Sequence, residues 1–201
     1  MTISKNLLER EYKSGKSMTG MARKLRCSIH KITYWMEKYH IQRRSHSDAA
    51  YLYENPDGDP FHIKSRLNIT EQHLFYLGLG LYWGEGTKSI TYATRISNTD
   101  PAMIKTFRAF LKIICGVQDD KIHFSIVTFN DTDPQVVRTY WSKELGISED
   151  KFGTIVTIPP QGKGSYKKKS QFGVCAITVS NIKLKAWLIK ELDKAKQAWI
   201  V

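Results

Sequence analysis

The sequence predicts an α+β protein: a small three-helix unit first, then a larger unit whose helices and strands alternate in the order αβαβαββα. Three observations predict it. Residues 1–48 hold short amphipathic segments, each opened by a capping residue or a turn. Residues 49–70 are dense in turn formers. Residues 71–201 open on a long apolar segment and continue as β-type runs separated by helical periodicity.

Taken in order, Lys5 to Ser14 reads as a first helix, with Leu7, Leu8 and Tyr12 available for packing. Gly15 and Lys16 turn the chain, and Ser17 caps a second helix running to about Leu25. After the turn at Arg26 and Cys27, Ser28 caps a third helix from Ile29 to about Tyr39. Ala22 is the small residue where two helices cross, surrounded by Met21, Leu25, Cys27, Ile32 and Trp35. This outline resembles the helix-turn-helix of resolvase-type and regulator proteins. It departs at the turn, where Arg26 replaces the usual glycine and a positive φ would strain it. The resemblance implies that Ile29 to Glu37 enters a major groove and presents Ser28, His30, Lys31, Thr33 and Tyr34. Behind it Gln42-Arg43-Arg44-Ser45-His46 forms a basic tail, with Arg43 and Arg44 suited to phosphates or a minor groove. Residues 1–48 carry 11 Lys and Arg against 4 Asp and Glu, a net +7 that favours duplex DNA. A structural three-helix module with a solvated charged face is the alternative.

Residues 49–70 are expected to be a linker. Glu54-Asn55-Pro56-Asp57-Gly58-Asp59-Pro60 is acidic and turn-rich, and its spacing matches no calcium loop. The second unit, residues 71–201, then opens on Leu77-Gly78-Leu79-Gly80-Leu81-Tyr82-Trp83-Gly84-Glu85-Gly86. Thr70-Glu71-Gln72-His73 offers this helix an N-cap and Gly86 terminates it. Each interior glycine costs a helix roughly 1 kcal/mol relative to alanine. Gly80 and Gly84, four apart, flatten one face so that a second backbone can come close. Glu85 stands at the C-terminal end, where the macrodipole disfavours a carboxylate.

Ser89 to Ser97 has strand composition, and Asp100-Pro101 opens a helix running to about Cys115. Its buried stripe is Ile104, Phe107, Phe110, Leu111 and Ile114, and Gly116 ends it. The pattern then repeats: strand 121–129, Thr132-Asp133-Pro134, a helix, Gly146, an acidic turn, Lys151 and another strand. The double match points to a small β-α duplication. Strands 152–158 and 172–180 flank a loop whose Lys163, Lys167, Lys168 and Lys169 accompany Tyr166. That loop is a phosphate grip or a solvated hairpin tip. The last helix, Asn181 to about Trp199, is amphipathic through Leu184, Leu188, Leu192 and Ala195.

Gly80-Leu81-Tyr82-Trp83-Gly84-Glu85-Gly86 resembles the LAGLIDADG motif of homing endonucleases and their relatives. The likeness extends over about residues 71–201 through a pattern of helix, two strands, helix, two strands, helix. It implies that two such helices pack through Gly80 and Gly84, and that Glu85 holds divalent metal, magnesium, over DNA. Trp83 replaces the motif's first acid. Two departures stand out: the first hairpin is short, and helix 134–145 is inserted between the later strands. With one motif per chain, a homodimer is required to bring two Glu85 carboxylates together, and its two-fold axis implies a roughly palindromic target. Lys88 is a candidate for stabilising the phosphate.

The chain has 201 residues, 41% hydrophobic, with net charge +12, which favours a polyanionic partner. No stretch approaches a membrane span, and the N-terminus lacks a signal peptide's apolar core. Cys27, Cys115 and Cys175 give neither a disulfide framework nor zinc spacing, so a reducing cytoplasm is expected, on the nucleoid if bacterial. No serine–histidine–aspartate set, phosphate-binding glycine loop or metal-spaced His/Cys set is present. Three functions follow: a metal-dependent DNA endonuclease, a non-cutting transcriptional regulator on the same fold, and an RNA- or ribosome-associated basic protein.

Overall fold

The computed structural model describes residues 2–159 and 171–199, and the chain divides into two compact units, Met1–Asp59 and Pro60–Val201. The first unit contains α1 (Lys5–Lys13), α2 (Met18–Lys24), α3 (Ile29–Lys38) and α4 (His46–Glu54). Ser17 and Ser28 cap as expected, accepting from the backbone N–H of Gly20 and Lys31 at 3.0 and 3.3 Å. Leu8, Met21, Ala22, Ile32 and Met36 form the centre of this unit's core. Arg26 does take the left-handed turn, at φ 47°, so the corner between α2 and α3 is made by a residue that tolerates it poorly.

Glu11 is buried at this core's edge, where Lys16 and Lys24 both donate to its carboxylate, Lys24 at 2.8 Å. These hydrogen bonds hold its pKa down to about 2. The pair of lysines thereby ties the α1–α2 turn and α2 back onto α1.

The stretch expected to be a linker is not one loop. Ser45 caps α4 by accepting from the Asp48 N–H at 3.1 Å, and Tyr51 is buried, donating to Asp59 at 2.8 Å. Pro60 to Leu67 instead belongs to the second unit, packing Phe61, Ile63 and Leu67 on its core. A run of Asp, Pro and Gly reads as a linker because turn chemistry dominates its composition. Here those residues connect a capped helix to an anchored strap.

The second unit contains α5 (Ile69–Glu85), β1 (Thr94–Asn98), α6 (Pro101–Ala109), β2 (His123–Phe129), α7 (Pro134–Leu145), β3 (Val156–Ile158), β4 (Val174–Val179) and α8 (Ile182–Trp199). The protein is therefore α+β. The sheet order is β1-β4-β2-β3, with β4 antiparallel to both β1 and β2, and β3 parallel to β2. Two turns of π-helix and 3₁₀-helix follow α6, at Phe110–Ile114 and Asp119–Lys121. The strap satisfies the π-turn's last carbonyls: the N–H groups of Lys64 and His62 donate to Ile114 and Cys115 at 2.9 Å.

The repeated local pattern expected from the sequence is visible in the backbone. Asp100 and Asp133 cap α6 and α7, each with proline in the first turn. Gly116 and Gly146 have φ 59° and 60°, and Asp119–Lys121 and Glu149–Lys151 are matching 3₁₀ turns. The core lies between the sheet and the helices, centred on Tyr82, Ile96, Phe107, Phe110, Trp141, Ile177 and Leu188. Each such side chain contributes about 1.5–3 kcal/mol through burial. No helix among the described residues is long and apolar enough to cross a membrane.

Candidate nucleic-acid interface and candidate active site

In the first unit, the exposed side of α3 carries Ser28, His30 and Tyr34, with Lys31 and Thr33 half-buried beside them. Ile29, 41% exposed, joins this face. Lys38 lies over the rings of Tyr34 and Trp35, at 5.8 and 4.8 Å from their centroids. The tail arginines differ from each other. Arg43 makes an exposed ion pair with Glu37 at 2.7 Å, an arrangement of small energy that frees easily for a phosphate. Arg44 is engaged within the fold: its guanidinium stacks on Tyr12 at 3.9 Å and donates to the carbonyls of Gly15 and Lys16. Arg43, Arg44 and His46 also line an open groove of about 880 Å³ that has no acidic lining residue.

In the second unit, α5 begins two residues earlier than its first threonine implies. Asn68 is the cap, in a reciprocal box with Glu71 at 3.0 and 3.1 Å. The helix glycines divide by surroundings. A methyl group on Gly78 would lie 2.3 Å from the Phe110 ring, so this glycine makes the close internal contact. On Gly80 or Gly84 it would meet nothing within 4 Å. His73, Tyr76, Leu77, Gly80, Trp83 and Gly84 follow helical spacing, and all six are exposed. Tyr76, Leu77 and Trp83 are 61%, 53% and 57% exposed, an apolar stripe with a flat centre.

Glu85 ends this stripe, exposed, and its carboxylate makes no hydrogen bond or ion pair among the described residues. Gly86 does not end the helix by a left-handed turn. Its φ is −74°, and glycine is needed because a Cβ there would lie 2.3 Å from the Tyr82 carbonyl oxygen. Lys88 turns back and donates to the Trp83 carbonyl at 2.5 Å. Below these residues Tyr82 is fully buried in the core, which raises the pKa of its hydroxyl. The first hairpin is reduced to a single bridge, Gly86 opposite Ile96, with the Thr87 N–H donating to Arg95 at 2.9 Å.

The sheet's outer face was not legible as a candidate surface. Strand register aligns Arg95, Thr178 and His123 in one row, and Ser97, Ala176 and Ser125 in the next. Of these only Ala176 is buried, and the opposite face carries the core residues Ile96, Ile177 and Phe124. The signal was the polar alternation within β1 and β2, but the pairing that assembles the rows is non-local.

Lys163, Lys167, Lys168 and Lys169 lie outside the described residues. Among the described residues no three His, Cys, Asp or Glu side chains stand close enough to hold a metal ion. Glu85 alone offers one exposed carboxylate at this helix end, which suits magnesium only where a second carboxylate or a phosphate shares the ion. Comparison of the chain with protein-family models, with curated proteins and with solved structures returns no match.

Proposed function

We propose that the protein binds double-stranded DNA as a homodimer of LAGLIDADG type, is targeted by its own helix-turn-helix, and cleaves DNA at paired Glu85 carboxylates. The observation that carries this reading is the outer stripe of α5. Two glycines that cost helix stability lie open within the chain, flanked by exposed Tyr76, Leu77 and Trp83, and the stripe ends at an unpartnered Glu85. A second copy of the same helix would cover that apolar surface and bring two carboxylates to one axis.

Topology supports the reading. Setting aside α7, β3 and the segment leading to β4 leaves α5, a minimal antiparallel pair, α6, the antiparallel pair β2 and β4, and α8. That is the order helix, two strands, helix, two strands, helix. Short polar side chains with Arg95 and His123 on the outer sheet face suit base edges in a groove. The net charge of +12 and the outer residues of α3 suit a duplex.

A divalent ion shared by two copies would supply charge neutralisation at the phosphate and an activated water. Within one chain the protein's own contribution is to present Glu85 and to keep Lys88 at the same helix end. A cytoplasmic, DNA-associated location accompanies this function. A non-cutting regulator is the second reading, favoured by the engagement of Lys88 on Trp83 and by a first hairpin of one bridge.

Sedimentation at micromolar concentration, with and without a selected duplex, tests the paired site. A dimer is expected, and Gly80→Leu or Gly84→Leu should separate or unfold it. A wild-type monomer in both conditions removes the shared site.

A further inference from the structure

Lys185 is a cation placed against two physical preferences. It stands at the start of α8, where the macrodipole disfavours positive charge, and it is only 4% exposed. Among the described residues no carboxylate pairs with it. Its ammonium donates instead to the Tyr82 hydroxyl and, at 2.7 Å, to the Thr87 carbonyl. A buried charge held by neutral oxygens is costly, so its presence here calls for a role. Burial pushes its pKa down, and the nearby Lys88 charge acts in the same direction.

The two partners bracket Glu85. Tyr82 is one turn before Gly86, whose N–H donates to the Tyr82 carbonyl at 2.9 Å. Thr87 is two residues beyond Glu85 and is tied to β1 through Arg95. The Tyr82 hydroxyl also donates to the Thr87 carbonyl at 3.0 Å, which closes a ring of three hydrogen bonds with the ammonium. Lys88 reaches the Trp83 carbonyl in the last turn of α5 and Lys185 the Thr87 carbonyl just beyond it, and both charges offset the dipole that disfavours Glu85 there.

We infer that Lys185 is the positioning residue of the Glu85 end: α8 reaches across to lock the chain on both sides of the carboxylate, so that its direction is set by the Tyr82–Lys185–Thr87 ring. This rests on the reading of Glu85 as the acting group, and the test separates the two. Lys185→Met keeps length and removes the donors, and Tyr82→Phe keeps the buried ring where Lys185→Met fails to fold. Lys190→Met, exposed on the same helix, is the control.

Hydrogen exchange on the full chain is read at Gly86 and Thr87 against Leu79. Exchange at the first two should rise about tenfold or more while Leu79 holds. The magnesium needed for half-maximal cleavage should rise by a similar factor, about tenfold, as for other outer-shell partners, with metal-free duplex affinity unchanged. Unchanged exchange at Gly86 and Thr87, or uniform acceleration along α5, overturns the inference. If the wild type cuts and Lys185→Met retains both its rate and its magnesium dependence, the inference also falls. If the wild type does not cut, the nuclease reading fails and the exchange result alone decides the lock.

Discussion

Gly78 and Gly80 stand two residues apart on α5 and should respond to the same substitution in opposite ways. In Gly78→Ala the new methyl would lie 2.3 Å from the Phe110 ring, against about 3.5 Å for an ordinary carbon contact. That ring has nowhere to go: it is fully buried, stacked on Phe107 at 5.6 Å and on Trp187 at 6.5 Å. Overpacking of this kind costs about 1–3 kcal/mol, and the gain in helix propensity returns about 1 kcal/mol. Gly78→Ala should therefore lower stability by up to about 2 kcal/mol. Gly80→Ala meets nothing within 4 Å and should raise the stability of the single chain by about 1 kcal/mol. Urea unfolding followed by tryptophan fluorescence, at a concentration where the chain is monomeric, reads both. The same Gly80 methyl should weaken the dimer in sedimentation. Equal destabilisation by the two variants would refute the reasoning, because it would place both glycines in internal packing.

Three further outcomes are expected. The Glu11 carboxyl sits at about 2 in the folded chain against an ordinary 4.5, so its stabilisation is complete above pH 4.5 and lost as pH falls from there toward 2. Unfolding of the first unit followed across that window should show the loss, and Glu11→Gln should remove the pH dependence. Lys31→Ala and Arg43→Ala should weaken duplex binding and lower its salt slope by about one unit each in a titration over salt concentration. Arg44→Ala should act on the unfolding midpoint instead, since its guanidinium is stacked and hydrogen-bonded inside the unit. Asn68→Ala should cost about 1 kcal/mol in urea unfolding through loss of the α5 cap.

Local chemistry was legible in the sequence where one residue decides an outcome. Ser17, Ser28, Asp100 and Asp133 cap the helices expected of them, and Gly116 and Gly146 turn where the repeated pattern requires. Competing local signals misled in two places. Thr70 hid the better cap at Asn68, and the acidic turn-rich run hid α4, whose Tyr51 faces inward. The strand expected from Ser89 begins only at Thr94, because pairing with β4, far along the chain, decides its length. Non-local contacts were out of reach for the same reason. The partition of α5 glycines between Phe110 and open surface depends on a helix that packs from elsewhere in sequence. Lys185 did leave a trace: it falls on the inward side of α8 with Leu184, Leu188 and Leu192, where a lysine breaks the apolar pattern. Its partners Tyr82 and Thr87 come from the opposite end of the unit and could not be read from α8 alone.

Cleavage of the best-bound duplexes by the wild type and by Glu85→Gln, in magnesium and in metal-free buffer, tests the central claim most directly. The substitution keeps the side-chain shape and removes the charge. Cleavage should fall by orders of magnitude, while metal-free affinity holds or rises because a carboxylate facing phosphate repels it. Stability should barely change, since an exposed acid at a helix C-terminus contributes little favourable energy. A wild type that leaves its best-bound sites intact in magnesium and manganese, or a Glu85→Gln that cuts as well as the wild type, would contradict the account.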